Sequence, residues 1–181
     1  MTDGFDPHPV PRTPVPYASD GTAAAPDDWA APLPLTYDPL WARLTDRIGA
    51  GTYPEALATA DALETALGRE YGPLHPHTVN ALTVRAWLTL LSAARTHEWA
   101  ETAAHLVETT QRRQAARAPA SETHRTIRNA HAVWTLLTRQ DPETARELAG
   151  LLLPLLAALP VAEEQERYAR SVARWIESGA A

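Results

Sequence analysis

From Leu40 onward the sequence places apolar residues three and four positions apart, and this spacing decides what the chain can fold into. Alanine, leucine, arginine and glutamate dominate, and β-branched residues do not alternate with polar ones. Such spacing puts the apolar side chains on one face of a helix. Prolines that start a first turn and Asp or Ser residues that cap it divide the run. They predict seven helices, at about 38–49, 53–71, 77–95, 98–116, 121–138, 142–158 and 160–177.

The predicted fold class is therefore all-α, an antiparallel helix-turn-helix stack of about seven helices. Pro154 lies inside the sixth of them and is expected to kink or divide it.

Three stretches of the chain resemble one another. They are GTYPEALATADAL, THEWAETAAHLVE and TRQDPETARELAG, which align on Glu55, Glu101 and Glu143, 46 and then 42 residues apart. Each unit would be a helix, a short turn and a second helix that opens at the glutamate, which is the pattern of a helical solenoid. Gly-Pro-Leu-His-Pro at 72–76 is then a joint between two copies and not the end of a domain. The alternative is an unrelated helical bundle.

The first unit carries a family resemblance. Gly51-x-Tyr53-x-Glu55-Ala56, followed by Ala60 and Leu63, resembles the centre of a tetratricopeptide repeat, and LGREYGPLHPHTVNAL resembles the longer repeat of kinesin light chains. Similar repeats occur in the sensor regions of bacterial STAND ATPases and in actinobacterial regulators. The resemblance covers about residues 38–158, with a capping helix after it. It weakens along the chain, because His97 stands where Gly51 stands and Asp141 replaces the turn aromatic.

The resemblance implies a concave groove lined by the first helix of each unit. The positions 14 residues before the aligned glutamates would lie on that face, with further positions one and two turns later in the second unit. Large aromatic side chains there suit an amphipathic or proline-containing peptide. The alternative is that the tryptophans pack in the core. The predicted partner-binding residues are Trp41, Trp87, Leu91, Arg95 and Asn129.

Five arginines surround the joint ARAPASETH and form a candidate anion-binding site. Arginine takes carboxylates or phosphates in a bidentate manner. The alternative is a solvated helix end, where cations are favourably placed at the C-terminal dipole. A nucleic-acid role would use the same residues, but the net charge of −6 argues against a general binder of nucleic acid. The residues are Arg112, Arg113, Arg117, Arg125 and Arg128.

Nine of the 16 prolines fall before residue 40, and they indicate a separate N-terminal region. Alternating X-Pro favours extended polyproline conformation over a packed helix or sheet. We predict that residues 1–36 are a proline-rich disordered or extended tail, and that 37–181 are the helical domain with its C-terminal capping helix. The tail would be a bare linker or a docking segment, since proline-rich segments lose little entropy on binding.

Several functions lack the residues they need. The chain has no cysteine and no lysine, so disulfides, thiolate zinc sites and a phosphate-loop lysine are excluded. The longest apolar run, 149–162, is shorter than the roughly 20 residues of a membrane span. The first twenty residues do not resemble a secretory signal, and we expect a cytoplasmic location. No metal-protease motif occurs, and we expect no cofactor and no catalysis, although His124 and His131 on one helix leave a helical enzyme as an alternative.

The predicted function is a non-catalytic adaptor or regulatory subunit that binds a peptide or helical segment of another protein. The first alternative is a self-regulated sensor whose proline-rich tail occupies the groove. Three units are close to the minimum for a stable stack, so a homodimer through the last helix is also expected. Its candidate contacts, Tyr168, Val172 and Trp175, would otherwise cap the stack.

Overall fold

The protein is all-helical throughout the part described by its structure, a computed structural model that covers residues 26–158 and 163–179, with side chains from Asp28 onward. No strand occurs in these ranges, and the predicted fold class is confirmed. A single helical turn and a 3-10 turn at Leu35–Tyr37 precede seven longer helices. The helices are α1 Pro26–Trp29, α2 Asp38–Gly49, α3 Tyr53–Tyr71, α4 Pro76–Thr96, α5 Trp99–Ala115, α6 Ala120–Gln140, α7 Pro142–Ala157 and α8 Glu163–Glu177.

The long helices form a stack in which each packs against the next in the chain. The joints from α2 to α7 are one to four residues long, and α5 also contacts α7. Short joints keep chain neighbours side by side, so each helix buries its apolar stripe against the helices before and after it. The result is a consecutive stack, as the spacing of the sequence predicts.

Two apolar cores meet at α4. The first lies among α2, α3 and α4 around Leu44, Leu63 and Leu88, all fully buried. The second runs from α4 to α8 around Ile127 and Leu152. Alternate stripes of α4 contribute to both cores, so α4 is the helix that joins the two halves of the stack.

The turns before α3 and α5 share a backbone feature. Gly51 has φ 71° and His97 has φ 63°, so both lie in the left-handed region, and the sequence alignment places these two residues at the same position. The third turn is different. Gln140 ends α6, and Asp141 at φ −146° caps α7 by accepting a hydrogen bond from the Thr144 N–H over 3.1 Å. The departure of the third unit in sequence is thus matched by a different turn.

Pro154 does not divide α7, one of the two outcomes that the sequence predicted for it. The helix runs on to Ala157, and its last turn closes with the Ala158 N–H donating to the Pro154 carbonyl over 3.0 Å. A proline removes one hydrogen bond to the carbonyl four residues earlier, here that of Gly150. Gly150 is exposed, so solvent can satisfy that carbonyl.

The last helix caps the stack. Val172 is fully buried, and Tyr168 and Trp175 pack against the second core. These three residues therefore serve the fold and do not form the exposed face expected for a homodimer, because α8 turns that stripe toward α7.

The boundary of the packed region lies earlier than predicted. Residues 1–25 lie outside the described part, so the tail prediction stays a prediction there. Residues 28–36, however, lie on the helical domain, with Trp29 and Ala31 each 8% exposed. The reason is that Trp29, Ala31 and Leu33 alternate with exposed residues, and this apolar pattern fixes the segment despite its prolines.

Candidate functional site

The central helix α4 has two opposite faces that make different contacts. Asn80, Trp87 and Leu91 are seven and four residues apart, which places them on one side of a helix with 3.6 residues per turn. Arg85 and Thr89 fall about half a turn away and lie on the opposite side. The first face contacts the segment before α2, and the second borders a pocket.

The first face holds the segment that precedes the helical domain. The Asn80 side-chain Nδ2 donates a hydrogen bond to the Trp29 backbone carbonyl over 3.1 Å. The Trp29 ring lies over the Arg113 guanidinium, with 5.6 Å between the guanidinium carbon and the ring centroid. The end of the helical turn α1 is thus fixed by one backbone contact and one aromatic contact.

Arg113 is unusual because its guanidinium is only 1% exposed. It donates to the hydroxyls of Thr83 over 3.0 Å and Thr123 over 3.4 Å, and it forms no ion pair with the described residues. Burial lowers the pKa of Arg113 to about 10; Glu122 opposes this shift, whereas Arg125 adds to it. A buried cation without a carboxylate is costly, and the π face of Trp29 provides part of the missing negative potential.

The segment continues in an extended form toward α2. Pro34 has φ −53° and ψ 141°, and Leu33 packs against the first core. Tyr37 then anchors the end of the segment, since its hydroxyl donates to Glu70 over 2.6 Å. Burial, together with this bond to a carboxylate, raises the pKa of Tyr37 to about 12. The segment is therefore held at both ends.

A buried cluster of rings lies beside the segment at the joint between α3 and α4. The ring centroids of Tyr71 and His75 are 4.7 Å apart, and those of His75 and His77 are 4.8 Å apart. Burial, with a contribution from His77, lowers the pKa of His75 to about 4, and Asp28 opposes the shift. Asp28 lies near these histidines because the segment folds back on the joint.

Four of the five predicted groove residues are half-buried, and the fifth is exposed. Trp41 and Trp87 are half-buried and pack against the edge of the first core, and Leu91 and Asn129 are also half-buried. Arg95 is exposed, and its guanidinium lies over the Tyr53 ring, 4.5 Å from the centroid. Part of each tryptophan therefore remains exposed, and Trp87 lies on the same side of α4 as Asn80.

The arginine segment does not form one free cationic surface. Arg112 is held by Glu64 over 2.8 Å and by Glu108 over 2.6 Å, and Arg125 is paired with Glu122. Arg113 lies beneath Trp29, whereas Arg117 and Arg128 are exposed. The five residues are near in sequence, but the carboxylates that pair with Arg112 and Arg125 come from α3, α5 and α6, and sequence spacing does not reveal such pairing.

The opposite face of α4 borders a polar pocket that the sequence reasoning missed. The pocket has a volume of about 290 Å³ and lies among α3, α4 and α5. Arg85 donates to Glu64 over 2.9 Å and contacts the His105 Nε2 over 3.2 Å. Glu64, only 8% exposed, thereby bridges arginines from two different helices. The polar residues that line the pocket include Asp61, Arg85, Thr89, Glu98, Glu101 and His105.

The tautomer of His105 follows from its neighbours. The Thr89 hydroxyl donates to the Arg85 carbonyl, so toward the His105 Nδ1, 3.4 Å away, it acts as an acceptor. Arg85 can only donate, so Nε2 accepts. The ring therefore carries its proton on Nδ1, and its two nitrogens are both engaged. The available sequence signal was the pair Glu101 and His105, one turn apart on α5.

The histidines considered for catalysis lie elsewhere. His131 stacks on Tyr168 with 4.3 Å between ring centroids, and burial lowers the pKa of His131 to about 4. The Nε2 atoms of His124 and His131 are buried and have no hydrogen-bond partner among the described residues. In residues 26–158 and 163–179 we find no group of three or more acidic or histidine side chains arranged for a metal ion. In the same ranges no helix has the length and apolarity that a membrane crossing requires.

Comparison with known proteins leaves the site to be interpreted from its own geometry. No protein-family model, no curated protein and no solved structure matches the chain.

Proposed function

We propose that the helical stack is a non-catalytic protein-binding module, related to tetratricopeptide repeats, that holds a peptide or helical segment of another protein on the first face of α4. The observation that carries this proposal is the segment already seated there. Asn80 holds the Trp29 carbonyl, and Arg113 lies under the Trp29 ring. A surface that fixes one short segment through a backbone carbonyl and an aromatic side chain has the elements to fix another. We keep the cytoplasmic setting expected from the sequence.

The surface extends beyond the seated segment. Trp87 lies seven residues after Asn80, about 10 Å along the helix, and Leu91 follows after one more turn. Both side chains are half-buried, so each rests on the stack while it presents part of its apolar surface. In binding surfaces, tryptophans of this kind often dominate the free energy. We therefore assign the apolar anchors of the groove to Trp41, Trp87 and Leu91, with Arg95 and Asn129 at its sides.

The same observation favours a second candidate, the self-regulated sensor. The segment is tethered to α2 by a few residues, so its effective concentration at the face is on the order of millimolar. A partner must compete with the segment, so the partner would bind the occupied face more weakly than an open face. In this version the residues before α2 set the threshold for binding.

A peptide selection tests the proposal. A displayed library of random peptides would be selected on the full chain carrying Trp29→Ala, which opens the face, after circular dichroism shows unchanged helix content. We expect selected peptides whose affinity falls at least tenfold when Trp87→Ala is added. Glu101→Gln is the matched control, because Glu101 lies on α5 and lines the pocket on the opposite side of α4. This variant should leave the affinity unchanged. Selected peptides that bind the Trp87→Ala variant equally well would contradict the proposal.

A further inference from the structure

The segment seated on α4 is a template for the ligand of this face, because its side chains alternate between contact and solvent. Trp29 and Ala31 are buried and Leu33 is half-buried, whereas Ala30 and Pro32 are exposed. Trp29 ends the helical turn α1, and from Trp29 to Leu33 every second side chain is buried or half-buried. The burial of each position states which side chain the face accepts there.

The aromatic position is set by Arg113. The guanidinium is buried, among the described residues it donates to the hydroxyls of Thr83 and Thr123, and the Trp29 ring covers it. An aliphatic residue above it would desolvate the cation without offering a π face. The face therefore selects an aromatic residue at this position, and Asn80 fixes the carbonyl of that same residue.

The flanking positions are constrained by charge and size. Asp28, immediately before the aromatic residue, lies close enough to His75 to favour its charged form. Ala31, two residues after the aromatic, is 8% exposed, so its environment has little room for a larger side chain. Leu33, four residues after, packs on the edge of the first core.

The seated segment is also not the best ligand that this face can take. The Trp29 indole Nε1 is buried and has no hydrogen-bond partner among the described residues. A buried donor that loses its water without a replacement weakens binding, commonly by about tenfold or more. A partner segment that satisfies this N–H, or that has an aromatic ring without one, can displace the chain's own segment.

We infer that the partner segment is a short peptide with an acidic residue, an aromatic residue, any residue, a small residue, any residue and an aliphatic residue in that order, with a helical turn that ends at the aromatic residue, as α1 ends at Trp29. The inference rests on the proposed function, because it names the class of peptide that the first face of α4 recognises. The chain's own copy of this pattern is Asp28 to Leu33, and it acts as an internal competitor.

The test uses a fluorescently labelled peptide with the sequence of residues 26–34 and measures its fluorescence anisotropy with the full-length protein. We expect the Trp29→Ala protein to bind this peptide at least tenfold more tightly than the wild type, whose face is occupied. Adding Asn80→Ala should reduce the affinity about tenfold. Equal affinity of wild type and Trp29→Ala would overturn the inference. If Trp29→Ala does not fold, the Ala31→Arg protein replaces it, since that change also lies wholly in the segment.

Variant peptides provide the matched control. Replacing the tryptophan of the peptide by alanine, or the alanine equivalent to Ala31 by leucine, should each weaken binding at least tenfold. The same Ala→Leu change at the position of Ala30 should have no effect, because that side chain points to solvent. Equal effects at the two alanine positions would refute the pattern. If library-selected peptides need Trp87 but lack this pattern, the inference is wrong and the proposed function stands; if no peptide binds at all, both fail.

Discussion

Removing the carboxylate of Glu64 should destabilise the stack more than any other single change at its ion pairs. Glu64 on α3 accepts from Arg85 on α4 over 2.9 Å and from Arg112 on α5 over 2.8 Å, so it joins three helices. Truncating one partner of a buried pair costs about 3–5 kcal/mol, because the remaining charges lose their partner. The side chains of Arg85 and Arg112 are 23% and 29% exposed, and water can solvate them in part.

We therefore expect Glu64→Ala to lower the free energy of unfolding by about 3 kcal/mol, the lower end of that range. With a urea m-value of about 2 kcal/mol per molar, the unfolding midpoint should fall by about 1.5 M. Glu108→Gln is the matched control. It removes a single pair on one helix whose carboxylate side chain is 39% exposed, and it should cost about 0.5 kcal/mol. The error of such fits is roughly 0.2 M. A Glu64→Ala midpoint that differs from the wild-type midpoint by less than this error would refute the bridging role.

Two further predictions concern the histidines and the turns. Burial lowers the pKa values of His75 and His131 to about 4 from an ordinary value of 6.5, so between these pH values the unfolded chain binds more protons than the folded one. Stability should be fully present above pH 6.5 and fall as the pH drops toward 4, and His131→Phe, which retains the ring stacking on Tyr168, should flatten this dependence in urea titrations at pH 7, 5.5 and 4.5. Gly51 and His97 share a left-handed backbone, and a Cβ at Gly51 would meet no atom within 4 Å. Gly51→Ala should therefore cost about 1 kcal/mol through the backbone alone, and His97→Gly should not destabilise; loss of stability in the second variant would contradict the account of the turn.

Most of the helical fold follows from the sequence, because local physics specifies it. Apolar spacing predicted seven helices whose ends agree with the structure within three residues, and the first-turn prolines Pro39, Pro54 and Pro142 marked three of the starts. The earlier boundary of the packed region was missed because proline count outweighed a weaker signal. The alternating pattern consists of Trp29, Ala31 and Leu33, and it is apolar enough to dock. It docks only because the helices provide a surface for it, and the pattern itself does not reveal that surface.

The candidate site was harder to predict than the fold because its partners are far apart in sequence. Arg113 was read as part of a cationic surface, whereas Trp29 covers it from 84 positions earlier in the chain. Arg112 was read in the same way, and Glu64 neutralises it from another helix. The pocket around Arg85 and His105 also depends on three helices that meet in space. Sequence spacing can state which face a residue occupies, but it does not state what the fold brings opposite that face.

The most direct test of the central claim, that the first face of α4 binds a short peptide, is an NMR map on isotope-labelled full-length Trp29→Ala protein. Titration with the peptide of residues 26–34 should shift the amide signals of Asn80 and Arg113 first and strongly, with the side-chain amide of Asn80 among them. Signals of Arg85, Thr89 and His105, which border the pocket on the opposite side of α4, should stay in place. Shifts confined to the pocket side, or no shift at peptide concentrations well above those of the anisotropy titration, would contradict the account.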